Sequence, residues 1–193
     1  MKKLTAEEFK ALIEEDPSWA SKLTEPVEIT TYCGMAGSKI THLNPLLHFT
    51  GRNEYDSAAG FWGCKNLKVA TGTFHGWVCF VESGIERIEN LTVTKTDCDG
   101  EAASFRGCEN LKVATGTYPG FVSFAESGIE RIENLTVTAP EAGGYKINLC
   151  NTTVEIPLCF KPSEVIAEED KIQRLKDRMA RKILGQKATS REL

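Results

Sequence analysis

Cysteine and histidine are the side chains here with the widest chemistry: seven Cys and three His in 193 residues. His75 and Cys79 have a spacing that suits a Cys–His nucleophile pair. No third group stands ready to orient the histidine, and a second copy of the same segment carries Pro119 and Ser123 instead. The pair therefore reads as non-catalytic. His42 and His48 lie near no acidic or cysteine cluster with metal-ligand spacing. The cysteine count is odd and there is no Cys-x-x-Cys pair, which argues against a disulfide framework or a zinc ribbon. The Gly-x-Gly segments lack the strand–helix setting of a phosphate loop. Asn90, Asn134 and Asn151 begin glycosylation sequons, which carry no weight without a secretion signal. The expectation is no catalytic residue, no metal and no cofactor.

The elements that position these residues are repeats. Residues 61–94 and 105–138 differ at seven of 34 positions and are offset by 44 residues. Self-similarity at a fixed period is the signature of stacked units. Each copy halves again, with triplets Leu67-Lys68-Val69, Leu91-Thr92-Val93, Leu111-Lys112-Val113 and Leu135-Thr136-Val137, each preceded by Asn. Val27-Glu28-Ile29, Leu47-His48-Phe49 and Val154-Glu155-Ile156 extend the series to about seven rungs. In each rung the flanking apolar residues point inward and the middle residue outward. Phe61, Phe80, Phe105 and Phe124 form a second anchor. Cys64, Ser83, Cys108 and Ser127 follow each Phe at a tight corner. Cys64 and Cys108 fall two rungs apart, roughly 9–10 Å, beyond the span of a disulfide, and read as buried spacers.

The phrases Ala-x-x-Phe-x-Gly-Cys-x-Asn-Leu-Lys-Val at 58–69 and 102–113 resemble BspA-like leucine-rich repeats, which share an A-F-x-x-C-x-x-L-x-x-I core in units of about 22–24 residues. The resemblance covers roughly 27–156. The sequence departs from the pattern by alternating Cys-type and Ser-type halves and by inserting Ser-Gly-Ile-Glu-Arg-Ile-Glu before every second strand. The expected fold is a leucine-rich-repeat solenoid, α/β and strand-dominated. It would be one parallel sheet of about seven short rungs between N-terminal and C-terminal helical caps.

The expected organisation is a helical cap over 1–25, the solenoid over 26–160, a C-terminal helix over 161–185 and a disordered tail over 186–193. Thr5 and Glu8 form a capping box and Leu4 with Phe9 a staple. Asp16-Pro17 opens a second short helix. From residue 163 to 184, early acids, late bases and a stripe of Val165, Ile172, Leu175, Met179 and Ile183 predict one amphipathic helix. That stripe reads as a cap and would also suit a homodimer.

Function is expected on the surface. The middle residues make an outward row: Glu28, His48, Lys68, Thr92, Lys112, Thr136 and Glu155. Positions where the copies differ, such as Trp62 against Arg106, are expected to be exposed, because a core site does not exchange Trp for Arg cheaply. Trp77 and Phe121, aromatic in both copies, are expected in the core. The net charge of −4 gives no field for nucleic acid. No apolar run approaches the roughly 20 residues that span a bilayer, and no signal peptide is evident, so a cytoplasmic location is expected. The leading expectation is a non-enzymatic protein-interaction module with another protein as partner. The alternative is a carbohydrate or other ligand held by surface aromatics.

Overall fold

The computed structural model describes residues 1–138, 145–176 and 178–179. Its elements in chain order begin with β1 (Lys2–Leu4), α1 (Ala6–Glu15), a 3-10 turn (Trp19–Lys22), β2 (Val27–Ile29), β3 (Cys33–Gly34) and β4 (Leu47–Phe49). There follow β5 (Ser57–Gly60), β6 (Val69–Ala70), β7 (Thr73–Phe74), β8 (Trp77–Cys79), β9 (Arg87–Val93), β10 (Glu101–Ser104) and β11 (Val113–Tyr118). The last are β12 (Phe121–Ser123), β13 (Arg131–Val137), β14 (Ile147–Asn148), a second 3-10 turn (Pro162–Glu164) and β15 (Val165–Ile166). A helix, α2, then covers 169–176.

The result is a strand-dominated α/β fold with few helices and two parallel sheets. The first has eight strands in the order β1-β2-β4-β7-β9-β11-β13, with β6 also on β9. The second has seven, in the order β15-β14-β12-β10-β8-β5-β3. The chain passes from one sheet to the other and back, so sequence neighbours face each other across the core. This corrects the expectation of one sheet. The second is built from segments read above only as phenylalanine anchors, among them Ser57-Ala58-Ala59-Gly60 and Glu101-Ala102-Ala103-Ser104. Ala, Gly and Ser have little β-propensity. Packing and rung-to-rung pairing make these short stretches strands.

Between the sheets the inward residues form aromatic files. Phe61, Phe80, Phe105 and Phe124 stack with successive centroids 5.2 Å apart and ring planes within 10°. Phe49 and Phe74 stack at 4.6 Å from the first-sheet side. Tyr118 occupies the site of Phe74 in the second copy and meets Phe105 edge-on at 6.4 Å.

The second-sheet strands β3, β5, β8, β10 and β12 each lead into the same corner. In five successive rungs it is closed by a backbone bond from the fourth residue to the first, as in Cys64 N–H to Phe61 O and Ser83 N–H to Phe80 O. The third residue has positive φ: Gly37 (67°), Gly63 (65°), Glu82 (55°), Gly107 (67°) and Glu126 (59°). The fourth residue faces inward. The Cys64 thiol donates to Met35 O at 3.0 Å and the Cys108 thiol to Phe80 O at 3.0 Å. Their sulfurs lie 3.6 Å from Ser38 Oγ and 3.4 Å from Ser83 Oγ, so each thiol is neighboured by a hydroxyl. Both cysteines are buried and free.

At the N-terminal end the capping box forms as expected. Thr5 N–H donates to Glu8 Oε2 at 2.7 Å and Glu8 N–H to Thr5 Oγ1 at 3.2 Å. Phe9 and Ile13 of α1 are buried. The second helix expected at Asp16-Pro17 is instead a turn followed by the 3-10 segment from Trp19. The Asp16 carboxylate accepts from Ser18 N–H and Ser18 Oγ, which holds that turn open of an α-helix.

At the C-terminal end the expectation of one helix from 163 is corrected. Val165 and Ile166, both β-branched, pair with Ile147 and Asn148 and extend the second sheet. The helix starts at 169. Its Leu175 is buried, and Ile172 and Met179 pack on the core. Lys171 is 6% exposed. Its ammonium donates to Leu149 O, Thr152 O and Thr152 Oγ1 at 3.0, 2.8 and 3.1 Å and pairs with Glu168 at 3.1 Å. The expected helix end at Gly185, Ile183 of its stripe and the tail over 186–193 lie outside the described residues.

Candidate functional site

The outward face of the first sheet is a ladder with a defined register. Lys3 stands beside Glu28, Glu28 beside His48, His48 beside Thr73, Thr73 beside Thr92, Thr92 beside Thr117 and Thr117 beside Thr136. Adjacent parallel strands are about 4.8 Å apart, so the four threonines form a regular column. The Glu28 carboxylate accepts from Thr50 Oγ1 at 2.9 Å and pairs with Lys3 at 3.2 Å. The Thr50 hydroxyl first, and then the Lys3 ammonium, hold its pKa below the ordinary carboxylate value.

Glu28, His48, Thr92 and Thr136 thus share one row, as the sequence suggested. Lys68 and Lys112 do not. They belong to a neighbouring row near the sheet's entry, where Lys68, Glu86, Lys112 and Glu130 alternate. Glu86 N–H donates to Lys68 O, Lys112 N–H to Glu86 O and Glu130 N–H to Lys112 O. The side chains pair across rungs, Lys68 with Glu86 at 2.8 Å and Lys112 with Glu130 at 2.7 Å. The Lys68 ammonium holds Glu86 below its ordinary pKa. Each of the two lysines is therefore paired with a neighbouring carboxylate. Sequence reasoning missed Thr73 and Thr117, which take the row positions assigned to Lys68 and Lys112. The signal was the repeated Thr-Gly-Thr-aromatic at 71–74 and 115–118.

The misplacement is in the choice of segment: Lys68 and Lys112 precede Thr73 and Thr117 along the chain and align with Glu86 and Glu130 rather than with Thr92 and Thr136. The paired strands also carry a bulge. Between Ile88 and Leu91 of β9 there is one more residue than between Ala114 and Gly116 of β11, and the same shift recurs against β13. Asn90 and Asn134 absorb it with φ of 49°. The left-handed region suits Asn, whose short polar side chain bonds locally. Asn90 N–H is taken up by Thr115 Oγ1 at 2.7 Å. Glu155 is corrected too: among the described residues Val154, Glu155 and Ile156 form no strand. Val154 and Ile156 are buried as expected, while Glu155 pairs with Arg178 at 3.0 Å.

Trp62 and Arg106 lie elsewhere, on the corners that follow the second sheet. Trp62 is 55% exposed, in line with the comparison of copies. Arg106 is exposed and pairs with Glu126 at 3.0 Å. Trp62 and Arg106 occupy one column, with Val81 of the intervening rung between them: Gly63 N–H donates to Val81 O and Glu82 N–H to Arg106 O. Trp77 corrects another expectation. It is half-buried on the outer face of the second sheet, where its indole N–H donates to Glu101 Oε2 at 3.0 Å. Phe121 is buried, yet stands outside the core cluster.

His75 follows β7 of the first sheet, and Cys79 closes β8 of the second. Burial raises the Cys79 thiol above its ordinary pKa, opposite to what a nucleophile requires. Among the described residues no group of three or more His, Cys, Asp or Glu could hold a metal ion. No helix among them is long and apolar enough to cross a membrane. No family model matches the chain, and neither a curated protein nor a solved structure matches it.

Proposed function

We propose that the chain is a short leucine-rich-repeat solenoid acting, without catalysis, as a protein-interaction module through the outward face of its first sheet. The observation that carries this reading is the row Glu28, His48, Thr73, Thr92, Thr117 and Thr136. It has a continuous register from strand to strand and presents hydrogen-bonding side chains rather than a convergent pocket. Repeat folds use such extended faces for binding. The neighbouring ion pairs set register and exclude wrong partners more than they add affinity. A photo-crosslinking residue at Thr92 or Thr117 is expected to trap one partner protein from host extract in near-stoichiometric yield. The same residue at Cys79, on the other sheet, should not. Equal trapping at the two sheets, or trapping at neither, overturns the reading.

A second reading rests on the exposed ring of Trp62: a carbohydrate or other ligand stacked on surface aromatics. Binding on a glycan array that Trp62→Ala abolishes would favour it over the first.

A further inference from the structure

We infer that the outer face of the second sheet is a homodimer interface, on which a second copy of this chain packs about a two-fold axis running over the face's central row. That row is Gly34, Gly60, Cys79, Ser104 and Ser123, one residue per rung. The row points outward because its neighbours along the strands face the core. Ala103 and Phe105 are fully buried on either side of Ser104, as are Val122 and Phe124 on either side of Ser123. Ser104 and Ser123 are themselves only 8% and 7% exposed, and their hydroxyls make no hydrogen bond among the described residues. On a two-fold axis each meets its own counterpart, and a hydroxyl both donates and accepts. Tyr32 is exposed and lies along the first two positions of the row: a Cβ on Gly34 would stand 3.3 Å from its ring, and one on Gly60 3.1 Å from its hydroxyl.

The flanks of the row select the axis. On one flank Ser57 stands beside Trp77, and the Trp77 indole donates to Glu101 at 3.0 Å. The other flank is the corner column of Trp62, Val81 and Arg106, joined by Gly63 N–H to Val81 O and Glu82 N–H to Arg106 O. A two-fold axis along the row lays one flank on the other, rung against rung. It sets Trp62 over Ser57, Trp77 over Val81 and Arg106 over Glu101, and symmetry makes each contact twice. Large rings thus meet smaller side chains, and a guanidinium meets a carboxylate. An axis parallel to the strands sets each flank on itself and never joins Arg106 to Glu101. From β3 to β12 these two are the charged residues of the three rows, whereas ion pairs cross the outer face of the first sheet. The Arg106–Glu126 pair is exposed and costs little to open. A carboxylate also has acceptor positions beyond the one the Trp77 indole fills. Seven strands about 4.8 Å apart, each about five residues wide at about 3.3 Å, give roughly 500 Å² of flat area per copy. The two copies together reach about 1,000 Å², the lower limit for a specific interface.

The test is sedimentation velocity on the full chain over a concentration series, with the melting temperature of each variant as the folding control. A monomer–dimer equilibrium with a dissociation constant on the order of 10 μM is expected. Arg106→Glu and Glu101→Arg should each weaken it about tenfold or more, because each sets like charges together at both symmetric contacts. The double variant Glu101→Arg/Arg106→Glu should return the dimer to within about threefold of the parent, as coupled sites do. Trp62→Arg repeats the residue that the second copy carries at this corner, so the corner accepts it, and it should also weaken the dimer about tenfold. A photo-crosslinking residue at Cys79, on the axis, should give a covalent dimer of the chain itself. That product differs in mass from a host-protein adduct at Thr92 or Thr117, so failure of this inference and failure of the interaction face proposed above are told apart. The inference is overturned by a monomer at every concentration, by a dimer indifferent to Trp62→Arg and Arg106→Glu, or by single reversals that the double variant does not repair.

Discussion

Replacing Tyr118 with Phe should make this protein more stable. The Tyr118 side chain is fully buried, and its hydroxyl has no hydrogen-bond partner among the described residues. Gly116 gives it room: a Cβ there would lie 3.0 Å from the Tyr118 hydroxyl and 2.4 Å from Leu91 O. An unpaired buried hydroxyl costs about 1–3 kcal/mol. The aromatic ring is not at issue, because Phe74 fills the matching site in the first copy. Removing the oxygen leaves a void of roughly 10–15 Å³, which costs about 0.3 kcal/mol at about 24 cal/mol per Å³. The net expectation is a gain of about 1 kcal/mol or somewhat more, seen as a higher denaturant midpoint at unchanged m-value. For a chain of this size that corresponds to about 2–4 °C in Tm per kcal/mol. The pH dependence supplies a second signature. Burial raises the Tyr118 pKa above its ordinary value of 10.0. The folded state therefore keeps its proton where the unfolded chain loses it, and stability declines as pH rises above about 10. Tyr118→Phe should flatten that limb. A variant less stable than the parent by 1 kcal/mol or more, with the alkaline limb unchanged, would refute the reasoning.

Three further outcomes are expected. Glu82 has φ of 55° where Gly63 and Gly107 hold the same corner. Glu82→Gly should stabilise by about 0.5–1 kcal/mol in a denaturant titration, as left-handed strain relieved outweighs unfolded-state entropy gained. Glu126→Gly should gain less, because it also loses the Arg106 pair. Lys171→Met should cost about 1–3 kcal/mol by stranding Thr152 O, while Leu149 O keeps the Thr152 hydroxyl and the Glu168 carboxylate keeps Asn151 N–H. Hydrogen exchange should accelerate over 145–176 while 27–118 stays protected. Burial lifts the Cys108 thiol from its ordinary 9.0 to about 11 and Cys33 to about 12. These raised values stabilise the fold fully below pH 9, and that contribution is lost between about pH 9 and 12. Cys108→Ser should lose the part of this alkaline slope that ends near 11.

Much of the fold is legible in the sequence because the repeat supplies its own alignment. The capping box, the phenylalanine file, the Cys and Ser corners and the exposure of Trp62 all follow from residue type and recurrence. The register does not. Leu67-Lys68-Val69 and Leu91-Thr92-Val93 look alike because both alternate inward and outward side chains. Yet Val69 pairs with Arg87, and Leu91-Thr92-Val93 belongs with Thr73 and Phe74. Each unit carries two apolar segments that recur at the same interval, so a periodicity count does not show which of them takes the position beside Leu91-Thr92-Val93. The second sheet escaped for a different reason. Its strands are Ala-, Gly- and Ser-rich, and their pairing comes from stacking rather than local preference. Val165-Ile166 shows the same effect, drawn from an apparently helical stretch into a ladder edge.

The alternation of Cys-type and Ser-type corners limits how such a chain can change length. Removing or adding a whole 44-residue unit preserves the order of corners. Losing a single rung between Phe80 and Phe105 would seat Cys108 directly against Cys64, at the roughly 4.8 Å strand spacing. That lies within the usual 4.4–6.8 Å span of bridged cysteine α-carbons. Two inert thiols would become a redox-active couple inside the core. Growth and loss in pairs of rungs is thus the path that keeps the interior insensitive to oxidants, and the near-identical 44-residue copies are what such a path leaves behind.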